Sequence, residues 1–361
     1  MLKYIAKLFR INDWWNYIFP PIIGIVFFLQ FLVLNDFNSF IVILALFSAS
    51  IIGTASYGFF LNDITDSNSD QQVGKRNFTH KIPILYKWFL LISTLIIGII
   101  PWFFLPFSAF AIALYVLQLI LLTAYSAPPL RFKQNIYTCI ISDALYSSVI
   151  PLLISIFIFS KNLIFSNILL IGLIVLAIIF LLRGIRNILL HQIKDINKDS
   201  LSEIKTLVMH LGTKKTTLFI SNFILPFEIV LTLAFVIIIS FVNIYFIILI
   251  PAYAIYIAVK TYEIRKSNIK NEKTNPFQLH NDFYEDLLPL FFIIMLSILD
   301  WHYLFVLGAY FILFRNKILA LIILFIYKIV YRKAILWVYY HPVLWLYYKG
   351  LRNKYVRKYI G

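Results

Sequence analysis

The chain alternates between long apolar stretches and short polar connections along most of its length. Eight apolar runs lie at about residues 17–34, 39–61, 84–104, 106–124, 136–158, 163–191, 216–240 and 242–259. A further stretch at about 287–331 is interrupted at Asp300–Tyr303 and at Arg315–Lys317, so it predicts one crossing or two. Because a bilayer-spanning helix needs about 20 mostly apolar residues, the pattern predicts an all-α polytopic membrane protein with about nine transmembrane helices, or ten.

The composition agrees with this class. Hydrophobic residues make up 61% of the chain and charged residues only 13%, whereas a soluble domain has about 45–50% apolar and about 25% charged residues. The first run is too long for the core of a signal peptide and has no small-residue cleavage site, so we interpret it as a retained helix. Cys139 is the single cysteine of the chain, which excludes an internal disulfide.

The basic residues predict the orientation in the membrane. Eighteen Lys and Arg lie in the N-terminal segment and in the connections after runs two, four, six and eight, while the other connections contain only Lys161. The positive-inside rule therefore places the N-terminus and the long loops on the cytoplasmic side of an inner or plasma membrane. The same distribution explains the net charge of +16 without a nucleic-acid partner.

The last thirty or so residues differ from the rest of the chain. Seven basic residues alternate there with aromatic ones such as Trp337, Trp345 and Tyr348, a mixture typical of a helix on anionic lipid headgroups. We therefore predict a transmembrane domain over residues 1–331 and a cytoplasmic or interfacial tail over residues 332–361 that takes no part in the catalytic centre.

An acidic cluster follows the second apolar run. Asn62, Asp66 and Asp70 are spaced four apart and would share one face of a continuing helix, with Asp63 beside them. Like charges at this spacing destabilise a bare helix, and the usual partner of such oxygen-rich clusters is a hard cation. Magnesium fits well, because it binds one or two carboxylates and completes its shell with water and substrate phosphates.

A second polar stripe ends the sixth run. Its residues recur every fourth position, and two further polar residues lie beside it: Arg183, Asn187, His191, Asp195 and Asp199, with Arg186 and Gln192. Either cluster alone also suits a solvated loop with N-capping aspartates. Two clusters at equivalent ends of alternate helices, in a chain with only sixteen acidic residues, favour one functional site. They would face each other across a central cavity open to the cytoplasm.

Two other features carry candidate chemistry. After the fourth run, Tyr125-Ser-Ala-Pro-Pro is followed by Arg131 and Lys133, which would hold two cations at a fixed place, although an ordinary positive-inside turn has the same composition. Asp143 and Glu228 are acids inside apolar runs. Each could deprotonate or orient an acceptor, or could form a helix-packing hydrogen bond. Asp143 is the first choice because it lies about two turns from the proline-containing turn.

The order Asn-Asp-x-x-Asp-x-x-x-Asp, Tyr-Ser-x-Pro-Pro-x-Arg-x-Lys and Asp-x-x-x-Asp resembles the UbiA superfamily of intramembrane prenyltransferases. The resemblance covers about residues 10–300, and it extends to Thr206 and Gly212 after the second acidic motif. It implies nine helices around a central cavity and transfer of a polyprenyl group from its diphosphate to an acceptor. It also implies two magnesium ions, one held by Asn62, Asp63, Asp66 and Asp70 and the other by Asp195 and Asp199.

The charge of a bound diphosphate and the positions of the polar residues suggest roles for individual residues. We expect Asp66, Asp195 and Asp143 to act in catalysis. Cationic and polar side chains near the diphosphate would bind substrate, namely Lys75, Arg76, Tyr125, Arg131, Lys133, Arg186, His191 and Gln192. The expected partners are a polyprenyl diphosphate, an unidentified acceptor and the lipid bilayer.

Three departures from the family pattern leave the acceptor open. Gln192 stands where many members have an acid, Glu203 replaces a glycine, and residues 71–77 lack an Arg-Pro pair. Gln192 and Glu203 also leave one alternative open, a non-catalytic protein that binds or carries a lipid diphosphate and retains the metal site. A phospholipid-forming alcohol phosphotransferase would need an Asp-Gly and Ala-Arg pattern within one motif, which neither acidic cluster contains.

Overall fold

The computed structural model of the chain describes residues 6–72, 77–161, 166–199, 206–266 and 280–322. All regular structure within these ranges is helical. The chain separates into two compact units, one of residues 1–253 with 273–307 and one of residues 254–272 with 308–361. The candidate site described below belongs to the first unit alone. The predicted tail at 332–361 lies outside the described residues, so its boundary stays a prediction.

The helices follow the apolar runs closely. They are α1 (Phe19–Val33), α2 (Phe37–Thr65), α3 (Ile84–Ile99), α4 (Ala109–Ser126), α5 (Ile136–Phe159), α6 (Asn167–Asp199), α7 (Thr213–Ser240), α8 (Leu249–Lys266), α9 (Leu288–Leu299), α10 (Tyr303–Leu313) and α11 (Arg315–Ile322). Within the described ranges, the seven from α2 to α8 are long and apolar enough to cross a membrane, and α10 with α11 makes an eighth if the pair is one span. The all-helical membrane class is thus confirmed, whereas nine or ten crossings and the cytoplasmic orientation stay predictions.

Both interruptions of the last apolar stretch are breaks in the helical structure. Helix α9 ends at Leu299, where Asp300 has an extended backbone and accepts a hydrogen bond from the His302 amide at 3.0 Å. Helices α10 and α11 are bent by 94° where Arg315 begins the second of them. The polar residues therefore mark helix ends, and at the first break the Asp300 side chain binds a backbone amide that a continuing helix would use.

Helix α1 lies in the interior of the first unit. Most of its side chains are buried, from Phe19 to Phe31, and it packs against α5 and α9. Phe28 contacts Phe292 of α9 with ring centroids 5.0 Å apart. Helix α2 packs against α3, α4 against α5, and α6 against α7. A cavity lies among α2, α4, α5, α6 and the segment before α1.

Small residues bring α2 and α3 into close contact. A Cβ atom added at Gly53 would lie 2.3 Å from the backbone nitrogen of Gly98, so the two backbones touch. Ser50, one turn earlier on α2, donates a hydrogen bond to the Gly98 carbonyl at 2.9 Å. Such packing is favoured within membranes, where close backbone contact replaces the hydrophobic effect as the driving force. It fixes the position of α2, which supplies most of one cavity wall.

This contact generates a stability prediction. Gly53→Ala should destabilise the protein by about 1–3 kcal/mol, because the new methyl group forces the two backbones apart. Gly308→Ala is the matched control, since a Cβ at Gly308 meets nothing within 4 Å and alanine is the better helix former. The measurement is thermal denaturation of the purified protein in detergent, followed by size-exclusion chromatography. Equal midpoints for the two variants would contradict the close α2–α3 contact.

Candidate functional site

A cavity of about 910 Å³ contains most of the sequence-predicted site residues. Along α2 its lining residues recur every three or four positions from Phe47 to Asp66, as one helical face must. The end of the cavity at the C-terminus of α2 is acidic, and the other end is aromatic. We call the first the acidic mouth, formed by Asn62, Asp63, Asp66, Asp70 and Asp195, and the second the aromatic floor, formed by Phe47, Trp102 and Tyr115.

Asp66 is the most heavily paired carboxylate of the acidic mouth. Its Oδ1 accepts hydrogen bonds from Lys133 Nζ at 2.6 Å and from Arg131 Nη2 at 3.0 Å. Lys133 Nζ also donates to Asn62 Oδ1 at 2.9 Å. The two cations predicted after the fourth run therefore lie against the first acidic cluster, 65 and 67 residues from Asp66 in sequence.

The turn after α4 places these cations. Arg131 has a left-handed backbone, with φ of 38°, and begins the short helical turn Phe132–Gln134. The Lys133 side chain is only 5% exposed, and this burial lowers the pKa of its ammonium group, although the neighbouring Asp66 opposes the effect. A buried lysine is costly without a counter-ion, so Lys133 and Asp66 depend on each other.

The other acids of the first cluster have separate partners. Asp63 Oδ1 lies 3.5 Å from Arg10 Nη1, on the segment before α1. Asn77 Nδ2 donates to Asp70 Oδ2 at 2.9 Å and to the Asp63 carbonyl at 2.7 Å. The sequence analysis did not assign Arg10 and Asn77 to the site. Arg10 lies 53 residues from Asp63, and no spacing rule connects the two.

The second polar stripe forms the opposite wall. Helix α6 continues without a break to Asp199, so the four-residue spacing is helical, and Arg183, Asn187, His191 and Asp195 all line the cavity. His191 Nδ1 lies 3.5 Å from Asp195 Oδ2. The structure thus brings both acidic segments to one cavity. The side chain of Asp199 is not among those described.

Three further predicted residues line the middle of the cavity, Tyr125, Asp143 and Gln192. Asp143 Oδ1 accepts a hydrogen bond from Tyr146 Oη at 2.6 Å, and the Tyr125 ring contacts that of Tyr146 edge to face, with centroids 5.4 Å apart. Gln192 Nε2 lies 3.7 Å from Cys139 Sγ. Its buried Oε1 has no hydrogen-bond partner among the described residues, so one acceptor atom remains available within the wall.

Arg186 is not where the sequence analysis expected it. It is fully buried and does not line the cavity. Its Nε and Nη2 donate to the two carboxylate oxygens of Glu228 on α7, at 2.7 and 2.9 Å, and Nη2 also donates to Asn281 Oδ1 at 2.6 Å. The expectation that Arg186 contacts substrate is therefore wrong in this structure, because its position on α6 faces α7 rather than the cavity.

The remaining predicted residues divide into two groups. Of the two roles that the sequence allowed for Glu228, the structure shows helix packing, since Glu228 forms an ion pair with Arg186. Arg131 reaches Asp66 from beside the cavity without lining it. Lys75 and Arg76 lie outside the described residues. Arg183, by contrast, lines the cavity and is held from behind by Glu285, whose Oε1 lies 2.9 Å from Arg183 Nη2.

The donor atoms of the acidic mouth fit a hard cation. Its carboxylate and amide oxygens are the ligand type that magnesium prefers, and they belong to the walls of one cavity. Among the described residues, no three His, Cys, Asp or Glu side chains are grouped closely enough to hold a metal ion as they stand. Lys133, Arg131 and Arg10 instead supply the positive charge at Asp66 and Asp63.

Fold and site together define an integral membrane protein whose helices enclose a cavity with an acidic mouth and an aromatic floor. The chain matches the model of the UbiA prenyltransferase family over residues 18–281. It belongs to that family. None of the curated protein sequences compared with the chain matches it.

Solved structures of a UbiA homolog from Archaeoglobus fulgidus share the fold. The structure bound to GPP and Mg2+ is 16% identical, covers 81% of this chain and 99% of its own, and has a TM-score of 0.56. The structure bound to DMAPP and Mg2+ is also 16% identical, with the same coverage and a TM-score of 0.55. A third structure, bound to Cd2+, is 15% identical. Its match covers 79% of this chain and 98% of its own, with a TM-score of 0.52.

The buried pair of Arg186 and Glu228 generates the second prediction. Arg186→Met or Glu228→Leu alone should destabilise the protein by about 3–5 kcal/mol, because each leaves an uncompensated buried charge. The double variant should recover most of the loss, since an apolar pair replaces an ion pair at little cost. Denaturation midpoints of the four proteins test this. A double variant no more stable than either single one would exclude the pairing as the main role of Arg186.

Proposed function

We propose that this protein transfers a polyprenyl group from a polyprenyl diphosphate to an acceptor within the membrane, in a magnesium-dependent reaction. The observation that carries the proposal is the convergence of both acidic segments on one cavity whose opposite end is aromatic. Membership of the UbiA prenyltransferase family supports it. So do the Archaeoglobus homolog structures, which contain GPP or DMAPP together with Mg2+.

Residues of the acidic mouth would hold the metal. Asn62, Asp63, Asp66 and Asp70 would bind one magnesium ion, and Asp195 with Asp199 a second. Bound magnesium would neutralise the diphosphate and stabilise it as a leaving group. The need for such neutralisation is clear, because each close pair of like charges costs on the order of 4 kcal/mol at an effective dielectric constant near 20.

The protein's own cations would share this task. Lys133 and Arg131 lie beside Asp66, at 2.6 and 3.0 Å, and would donate hydrogen bonds to phosphate oxygens. Lys75 and Arg76 would add charge from the segment that follows the first cluster.

The middle of the cavity suits the carbon that the diphosphate leaves behind. That carbon is an allylic cation, which aromatic faces stabilise and water would destroy. Phe59, Tyr125 and Tyr146 line this region. Asp143, held by Tyr146, would accept a proton from the acceptor or orient it. His191 and Gln192 would contact the substrates from α6, where the unpartnered Gln192 Oε1 can accept a hydrogen bond.

We assign this chemistry to residues 1–331 and give the tail at 332–361 a role at the membrane surface. The basic and aromatic composition of the tail supports this division, as does its position beyond the family match, which ends at residue 281.

The third prediction tests the acidic mouth. Asp66→Asn and Asp195→Asn should each reduce prenyl transfer by two to four orders of magnitude, since loss of one charged partner costs about 3–5 kcal/mol and about 1.4 kcal/mol is tenfold in rate. The double variant should be little worse than either single one, because the two residues would act as a unit. The assay follows labelled geranylgeranyl diphosphate into lipid, with total lipids of the native cells as acceptor, and reports activity per folded molecule.

The control is Asp36→Asn, at the other end of α2. Asp36 is an exposed N-cap that accepts from the Ser39 amide at 3.0 Å, and asparagine caps helices equally well, so activity should not change. Normal diphosphate release by Asp195→Asn, with loss of release in Asp66→Asn, would remove the second segment from the metal site. Magnesium-dependent binding without any turnover in the unmodified protein would instead support the carrier alternative.

A further inference from the structure

The aromatic floor has a feature that prenyl transfer alone does not require, because a second layer of aromatic rings lies behind it. Phe47 is 2% exposed, and behind it lies Phe159 of α5, with ring centroids 5.4 Å apart. Phe40, two turns earlier on α2, contacts Phe159 in turn at 6.1 Å. Neither Phe159 nor Phe40 lines the cavity. A ligand that reaches Phe47 therefore meets a second layer of packed rings beyond it.

Polar atoms near the floor are paired with one another. Trp102 Nε1 donates to Ser50 Oγ at 2.9 Å, and that hydroxyl donates to the Gly98 carbonyl. Thr54 Oγ1 and Tyr115 Oη lie 3.1 Å apart, and the Tyr115 ring stacks on Trp102 with centroids 4.5 Å apart. Since these groups already have partners, a ligand in this region meets ring faces and methyl groups and needs no hydrogen bonds of its own.

The distance from the acidic mouth to the floor follows from helix geometry. Asp63 and Phe47 both line the cavity from α2, and sixteen residues at about 1.5 Å each separate them along the helix axis by about 24 Å. An extended backbone residue with three bonds spans roughly 3.5 Å, so an isoprene unit with four carbons in line spans roughly 4.5 Å. The cavity is thus about five isoprene units deep, and the diphosphate takes part of that depth.

We infer that the aromatic floor limits the length of the prenyl chain, so that the preferred donor is a geranylgeranyl diphosphate and much longer polyprenyl diphosphates are excluded. The inference rests on the proposed function and narrows its substrate class. The chain runs from the acidic mouth along the α2 face, past Phe59 and Ala55, and its last isoprene unit contacts Phe47 and Trp102. Phe47 and Ala55 are then the residues that determine specificity.

The test measures binding, so that it does not depend on the acceptor. The probes are S-thiolodiphosphates of geranyl, farnesyl, geranylgeranyl and octaprenyl alcohols, competing with labelled geranylgeranyl thiolodiphosphate for the full-length protein in nanodiscs with magnesium. The unmodified protein should bind the octaprenyl probe at least about tenfold more weakly than the geranylgeranyl probe, because extra methylenes forced into a packed wall carry a penalty of that order.

Two variants should move this limit in opposite directions. Phe47→Ala should bring the octaprenyl probe to within a few-fold of the geranylgeranyl probe. Ala55→Phe fills the cavity about 12 Å from Asp63, so it should weaken the geranylgeranyl and farnesyl probes relative to the geranyl probe. The matched control is Phe60→Ala, which removes a fully buried ring from another face of α2, away from the cavity, and should leave the order of affinities unchanged.

The outcomes separate this inference from the proposed function. If no probe binds in the presence of magnesium, both are wrong. If all four probes bind equally to the unmodified protein, the chain leaves the cavity sideways, and only the limit at the floor is wrong. The same holds if Phe47→Ala and Phe60→Ala give identical affinity ratios. Should Phe47→Ala fail to fold, Phe47→Leu and Ala55→Phe test the limit independently.

Discussion

A buried charged side chain is stable only when a group of opposite charge or a set of hydrogen-bond donors lies beside it. This constraint organises the interior of the first unit. Arg186 is paired with Glu228, Arg183 with Glu285, and Lys133 with Asp66. Each pair joins two separate parts of the chain. Compensation of charge thus also fixes which helices are neighbours, and a functional cluster can be kept only where its partners are supplied.

The three ion pairs differ in how accessible their side chains are to a ligand in the cavity. This difference distinguishes charges with a structural role from charges with a functional one. Both side chains of the Arg186–Glu228 pair are 0% exposed, so no ligand can reach them. The Asp66 carboxylate faces the cavity, is 12% exposed and has two cations beside it. It can exchange partners when a ligand enters, whereas Glu228 cannot do so without unfolding its surroundings. Proximity to a motif in sequence is therefore a weaker guide to function than the face of the helix on which a residue lies.

This distinction explains what the sequence could predict. Helix positions follow from apolar periodicity, and the cavity-lining stripe of α6 follows from spacing alone, because Arg183, Asn187, His191 and Asp195 all lie on one face. Arg186 is of the same residue type as Arg183 and lies only three positions later on α6, but its side chain faces α7. No pattern in α6 itself reveals that, since its partner Glu228 lies 42 residues away. The contact of Arg10 with Asp63 depends in the same way on how the segment before α1 folds back onto α2.

The lengths of α2 and α6 explain how one helix can carry both apolar and acidic cavity-lining residues. Helix α2 has 29 residues and α6 has 33, which at about 1.5 Å per residue gives lengths of about 44 and 50 Å. The hydrocarbon core of a bilayer is only about 30 Å thick. Each helix is therefore longer than the hydrocarbon core is thick, and in both the acidic residues lie in the final turns. A helix of this length has room for carboxylates at one end and an apolar segment at the other. Two such helices, α2 and α6, contribute both acidic and apolar side chains to the walls of a single cavity.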